Sequence, residues 1–145
     1  MLVVEGLDAG YGEAQILFGV DLSIGEGEVV TLLGRNGMGK TTTIRAIMGL
    51  IPPKSGRVSV AGRDLTGAPA FRIAQAGIGL VPEGRMIFPT LSVEENLIAT
   101  AASRFGKARW DIERIYAFFP RLKERRANRG NQLSGGEQQM LAIGR

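Results

Sequence analysis

The chain has 145 residues, with 18 lysines and arginines against 14 aspartates and glutamates, and neither cysteine nor histidine. That length is enough for one domain with a real core and too short for two ordinary ones, and the absent thiols exclude a disulfide framework, as expected in a reducing cytoplasm. No apolar run approaches the ~18 residues of a membrane helix and Met1-Leu2-Val3-Val4-Glu5 is no signal peptide, so the expectation is a soluble chain that does not itself span a membrane. The net charge of +4 is concentrated between Arg104 and Arg129, at Lys107, Arg109, Arg114, Arg121, Lys123, Arg125 and Arg126. Few aromatics interleave with these cations, so the stretch reads as a solvated helical face plus a basic loop, and a nucleic-acid partner is not expected.

Residues 1–30 read as β. Leu2-Val3-Val4 and Gln15-Ile16-Leu17-Phe18 are short strands separated by the turn-rich Asp8 to Glu13, and Val20-Asp21-Leu22-Ser23-Ile24 alternates as a half-exposed strand does. Tyr11, an aromatic in a polar turn, could stack on a flat base or simply pack on the β-layer. Gly25-Glu26-Gly27-Glu28 turns the chain into Val29-Val30-Thr31-Leu32-Leu33, an apolar run suited to a strand buried on both faces.

Gly34-Arg35-Asn36-Gly37-Met38-Gly39-Lys40-Thr41 follows at once and fits the phosphate-cradling pattern G-x-x-x-x-G-K-[ST]. A helix is predicted over Thr41 to Met48, with Ile44, Ile47 and Met48 on one face and a stop at Gly49. The glycines let backbone N–H groups turn inward, and the helix end adds partial positive charge. Lys40 can then reach the β- and γ-phosphates, and the Thr41 hydroxyl can ligate Mg²⁺. Strand before and helix after make this a nucleoside triphosphate site.

Gly56-Arg57-Val58-Ser59-Val60 is a strand, Ala61 to Asp64 a turn, and Pro69 and Gly77 bracket a short helix over Ala70–Ala76. Ile78-Gly79-Leu80-Val81 is a second candidate buried strand, ending in the charged loop Pro82-Glu83-Gly84-Arg85, where ligand sites of α/β sheets gather. From Leu91 the pattern is helical: Ser92-Val93-Glu94-Glu95 is a capping box, with Val93, Leu97 and Ala101 on one face. A second helix runs from Asp111 to Phe119 and stops at Pro120, and Lys123 to Asn131 reads as a mobile basic connector. Leu133-Ser134-Gly135-Gly136-Glu137-Gln138-Gln139 opens the last helix, with capping-box spacing from Ser134 to Glu137 and two glycines exposing N–H groups at its positive end.

The phosphate loop and the Leu133-Ser134-Gly135-Gly136 motif together resemble the ATP-binding subunit of ABC transporters, in which the latter is the signature motif. The stretches Gly34 to Thr43, Val81 to Arg85 with Ile87-Phe88-Pro89, and Leu133 to Leu141 look most like the second ATP-binding subunit of branched-chain amino acid importers. The fold this implies is α/β: a P-loop ATPase core with an N-terminal antiparallel β-layer and a helical subdomain, cut short after the signature motif. Residues 1–30 and 56–66 would form the β-layer, 28–55 and 67–90 the P-loop core, 91–133 the helical subdomain, and 134–145 the start of the signature helix.

The resemblance also assigns roles. Tyr11 matches the aromatic that stacks on adenine, and Gly34, Arg35, Asn36, Gly37, Met38, Gly39, Lys40, Thr41 and Thr42 match the loop that holds the phosphates of ATP. Glu83 stands where most of the family has glutamine, in the loop that contacts Mg²⁺ and faces the permease, so Thr41 and Glu83 are the metal candidates. Ser134, Gly135, Gly136 and Glu137 match the segment that touches the γ-phosphate held by a second copy, with Glu137 again replacing a glutamine. Partners implied are a second ATP-binding subunit (the same or different), membrane permease subunits and, indirectly, a solute-binding protein, with the chain peripheral on the inner face of the cell membrane.

The family's apolar strand ending in Asp-Glu and its later histidine are not found in these 145 residues. No catalytic residue is therefore assigned beyond Lys40 as a transition-state phosphate contact. The chain alone is expected to bind ATP weakly, hydrolyse it negligibly, and associate through exposed core, as the N-terminal part of a longer ATPase. A soluble ABC-type ATPase acting on nucleic acid or ribosomes, or a non-catalytic nucleotide-binding fragment, are the alternatives.

Overall fold

The computed structural model describes residues 1–101 and 110–145, which fall into two units, Met1–Leu80 and Val81–Arg145. Arg104, Lys107 and Arg109 of the basic stretch lie outside the described residues.

The first unit is built on an antiparallel sheet of order β2-β1-β3-β4, from β1 (Leu2–Tyr11), β2 (Ala14–Ile24), β3 (Pro53–Val60) and β4 (Arg63–Asp64). β1 is longer than its apolar start suggests: Asp8 to Tyr11 is strand, and only Gly12 and Glu13 turn the chain. The two segments expected on either side of Gly19 are one strand, because a bulge carries β2 through that glycine. Gly6 and Gly19 take left-handed φ of 56° and 58°, and each bulge N–H is capped by an aspartate of the opposite strand. Asp21 Oδ1 accepts from Gly6 N at 2.6 Å, and Asp8 Oδ1 accepts from Gly19 N at 2.6 Å. Asp8 Oδ2 also accepts from the Ser55 hydroxyl, and this bond, with the Gly19 N–H, holds its carboxyl below the usual range.

Helix α1 (Lys40–Ile47) packs on this sheet. Its buried face is Thr42, Thr43, Ala46 and Ile47, joined by Met48, while Ile44 remains exposed, contrary to the predicted face. Small side chains on the inner face allow the helix to sit close over Leu7, Ala9, Leu17 and Val58, the core of this unit. Gly49 ends α1 with φ 65°, and a Cβ there would lie 2.3 Å from the Ala68 carbonyl. Helix α2 (Ala70–Gln75) follows Pro69 and buries Ile73.

Val29–Leu33 and Ile78–Val81 are not strands. Among the described residues neither segment enters the sheet, and Val29 and Leu33 are 92 % and 88 % exposed. A strand that is apolar on both faces needs ladder partners and cover on both sides; without them the extended conformation has nothing to hold it.

The second unit is helical: α3 (Val93–Thr100), α4 (Ile112–Phe118), α5 (Pro120–Glu124) and α6 (Gly135–Gly144), with a 3-10 turn over Gly130–Gln132. Its core is Val93, Leu97, Tyr116, Leu122, Leu133 and Leu141. Pro120 ends α4 as expected, but it also opens α5, where its missing N–H has no helical partner to lose. The basic connector is tied down. Val93 N donates to Asn128 O, Glu94 N to Arg126 O and Gly130 N to Leu91 O, all near 3 Å. Buried Asn96 satisfies the loop before α3, accepting from Phe88 N and donating to the carbonyls of Phe88, Leu91 and Ser92. No helix among the described residues is long and apolar enough to cross a membrane.

Two outcomes are expected. Gly56 has φ +90°, and a Cβ there would lie 2.4 Å from the Gly6 carbonyl oxygen. Gly56→Ala should therefore destabilise the first unit by about 2–4 kcal/mol, seen as a lower urea midpoint. Exposed Val29 and Leu33 should drive self-association, so Val29→Lys with Leu33→Lys should lower the apparent mass in light scattering at equal concentration.

Candidate functional site

The phosphate-type loop occupies Gly34 to Gly39, directly before α1. Gly37 and Gly39 have φ of 84° and 86°, so side chains are disfavoured at both turns of the loop. A Cβ on Gly39 would lie 2.8 Å from Leu17 Cδ2 of β2, so the missing side chain lets the helix start settle onto the sheet. Gly39 is the N-cap of α1, no side chain caps that end, and no acidic residue lies in its first turn. The donors there face a region suited to an anion. Lys40 Nζ folds back over the loop, donating to Gly34 O at 2.6 Å and Arg35 O at 2.8 Å. Thr43 Oγ1 donates to Gly39 O at 3.0 Å, which stiffens the turn from the buried side.

Tyr11 ends β1 next to this helix. Its hydroxyl accepts from Arg45 Nη1 at 3.1 Å while the residue stays 43 % exposed. Hydrogen bonding with Thr42, and then with Arg45, pulls the phenol below its ordinary pKa. Thus Tyr11 is held beside α1 by Thr42 and Arg45, and Arg45 is a residue that sequence alone does not single out.

Glu83 and the signature segment belong to the second unit. Ser134 is the N-cap of α6, and the capping box closes: Ser134 Oγ accepts from Glu137 N at 3.3 Å, and Glu137 Oε2 accepts from Ser134 N at 2.8 Å. Ser134, Gly135 and Gly136 are exposed, whereas Glu137 is buried. Its second oxygen accepts from Arg121 Nε at 2.9 Å, with Arg125 3.7 Å away. The carboxylate grouped with the ligand contacts is thus turned inward, as the brace of the helix start. Arg121 and Arg125, read only as members of a basic stretch, are its counter-ions.

Among the described residues no group of three or more acidic side chains could hold a metal ion. Of the two residues read as metal candidates, Thr41 lies in the first unit and Glu83 in the second. An uncapped helix end, a left-handed glycine loop and a lysine fit a nucleotide's phosphates.

A glycine loop between a β-layer and an uncapped helix, with a helical unit carrying a capped Ser-Gly-Gly start, defines a P-loop ATPase fold. The chain belongs to the ABC transporter family, whose profile matches residues 17–145. It is 42 % identical to the high-affinity branched-chain amino acid transport ATP-binding protein BraG of Pseudomonas aeruginosa, over 100 % of this chain and 63 % of that protein. It is 37 % identical to a probable branched-chain amino acid transport ATP-binding protein, LivF, of Archaeoglobus fulgidus, over 99 % of the chain and 61 % of the relative. The lipopolysaccharide export system ATP-binding protein LptB of Haemophilus influenzae is 35 % identical over 100 % of the chain and 61 % of its own length. A solved ATP-binding subunit of an ABC transporter superposes with a TM-score of 0.82 at 33 % identity, covering 99 % of this chain and 60 % of that one. The chain thus spans about three-fifths of the length of these relatives.

The Ser134 N–H is the main reason Glu137 titrates below its ordinary 4.5, followed by the Ser134 hydroxyl and Arg121. A depressed carboxyl pKa stabilises the fold fully above 4.5 and loses that contribution as pH falls toward the folded value. The urea midpoint of the second unit, followed by the single tryptophan Trp110, should fall on acidification from about pH 5 to about pH 3. Glu137→Gln should start from a lower midpoint and show a shallower acid slope.

Proposed function

We propose that the chain is the nucleotide-binding part of an ABC transporter ATP-binding subunit, holding ATP and Mg²⁺ and serving import of branched-chain, hydrophobic amino acids. The observation that carries the nucleotide reading is the uncapped amino end of α1 behind the Gly34–Lys40 loop. Lys40 leaves the carbonyls of Gly34 and Arg35 to take the β- and γ-phosphates, with backbone N–H groups of the Arg35–Gly39 loop and of Thr41 and Thr42 around the same anion once Met38 N gives up Arg35 O. The Thr41 hydroxyl is the candidate Mg²⁺ ligand of the first unit, and the Glu83 carboxylate that of the second. Tyr11, held by Arg45 with its ring exposed, takes the adenine face.

Bound MgATP supplies the phosphoanhydride whose cleavage powers transport. Ser134 and the Gly135 and Gly136 N–H groups act on a second subunit's γ-phosphate, so two copies close two sites about one two-fold axis. Glu137 keeps that segment rigid. Permease subunits receive the resulting change of state on the inner face of the membrane, and ATP biases it by binding the closed pair more tightly. Hydrolysis is proposed for a polypeptide of the relatives' length, and nucleotide binding for this chain. The names of the relatives BraG and LivF support the amino-acid substrate.

Lys40→Ala should weaken binding of a fluorescent ATP analogue to this chain by roughly tenfold or more, because a charge-assisted contact is lost while the fold remains. Equal affinity in variant and parent would remove the loop as the site. For the solute, ATP-dependent leucine uptake into proteoliposomes containing the full-length protein and its permease decides; lipid extraction without leucine uptake would favour the lipopolysaccharide-export reading that the LptB likeness raises.

A further inference from the structure

The loop after Val81 carries two non-glycine residues in left-handed backbone, Arg85 at φ 66° and Met86 at φ 47°. Side chains rarely adopt that region, and it persists where neighbours over-determine it. The neighbours are all in the second unit. Within the loop, Arg85 N donates to Pro82 O at 3.3 Å and Met86 N to Gly84 O at 2.7 Å. Beyond it, the anchors are α6 and the residue that ends it. Arg85 Nη1 donates to Gln138 Oε1 at 3.0 Å near the start of the helix, and Arg145 Nη1 donates to Met86 O at 2.7 Å beyond its far end. The Arg145 guanidinium also lies 4.5 Å from the centre of the Phe88 ring.

The Arg85 contact is specific in two further respects. A Cβ on Gly135 would lie 3.1 Å from Arg85 Nη2, so the guanidinium packs against the bare backbone of the signature segment. Its acceptor is itself immobilised, because Gln138 Nε2 donates to Gly130 O at 3.1 Å and Leu133 O at 3.3 Å. Moreover, a cation beside the amino end of a helix is opposed by the helix dipole, so helix stability alone does not explain its position.

We propose that Arg85 is a positioning residue that fixes the Glu83 loop to the amino end of α6, so that the loop and the Gly135–Gly136 backbone move as one body. The geometric claim stands by itself, while its consequence rests on the function proposed above. Glu83 lies two residues before Arg85, so a displacement of that loop is delivered to the N–H groups offered to a second subunit's nucleotide.

The test is hydrogen exchange followed by mass spectrometry on the nucleotide-free chain as wild type, Arg85→Ala and Arg85→Lys. Amides of residues 84–87 and 135–139 should exchange roughly tenfold faster in Arg85→Ala, less so in Arg85→Lys, with peptides from β1 to β3 unchanged. Unchanged exchange over 135–139, or an equal rise throughout both units, would overturn the proposal: the first leaves the two segments uncoupled, and the second makes Arg85 general support for the fold. ATP affinity is measured in parallel on the wild-type chain. A wild-type chain that binds no ATP would sink the nucleotide reading, and the exchange pattern would still decide the role of Arg85.

Discussion

The amino end of α1 is a helix start with no side chain to satisfy it, and the first unit is arranged around that fact. Most helices close this end with a serine, threonine, aspartate or asparagine. Here a left-handed glycine occupies the N-cap, and its missing Cβ is what lets α1 approach Leu17 of β2. The same residue that keeps the donors open also seats the helix. Burial of Thr42, Thr43, Ala46 and Ile47 then holds α1 in place without a cap, at a contribution of roughly 1 kcal/mol forgone for the capping bond.

The second unit solves the same problem in the opposite way. α3 and α6 both begin with closed capping boxes, Ser92 with Glu95 and Ser134 with Glu137. In α6 the brace is reinforced because Glu137 is buried and meets Arg121 as well as the Ser134 N–H. A buried carboxylate without those partners would be costly, so the basic residues on α5 and beyond it serve packing here. Ser134 to Gly136 are presented to solvent from a rigid base. The amino end of α1 is thus left without a side-chain cap, and that of α6 is closed by one.

The bulged sheet supplies the platform. Asp8 and Asp21 each cap a bulge glycine on the facing strand, and Asp8 also reaches Ser55 on β3, so one short acidic side chain ties three strands together. The result carries Tyr11 to the edge of α1, where Arg45 holds its hydroxyl and leaves its ring exposed.

Short-range chemistry was legible in the sequence. The glycine spacing gives a left-handed loop before α1, Gly49 and Gly77 end their helices, and both capping boxes follow from Ser and Glu three residues apart. These features depend on neighbours within a few positions, where residue type constrains backbone conformation directly. Longer-range matters were decided only by the fold. Val29–Leu33 has every local mark of a buried strand, yet it stays outside the sheet because a strand exists only with its ladder partners. The basic connector read as mobile but is ordered through hydrogen bonds to the start of α3. The inward turn of Glu137 and the seat of Arg85 on α6 join residues 16 and 53 positions apart, a separation at which spacing carries no signal. Sequence determined where glycines and serine caps set the backbone at helix starts, because those effects act over a few residues; packing determined which distant charged side chains brace them, because such pairs meet only in the fold.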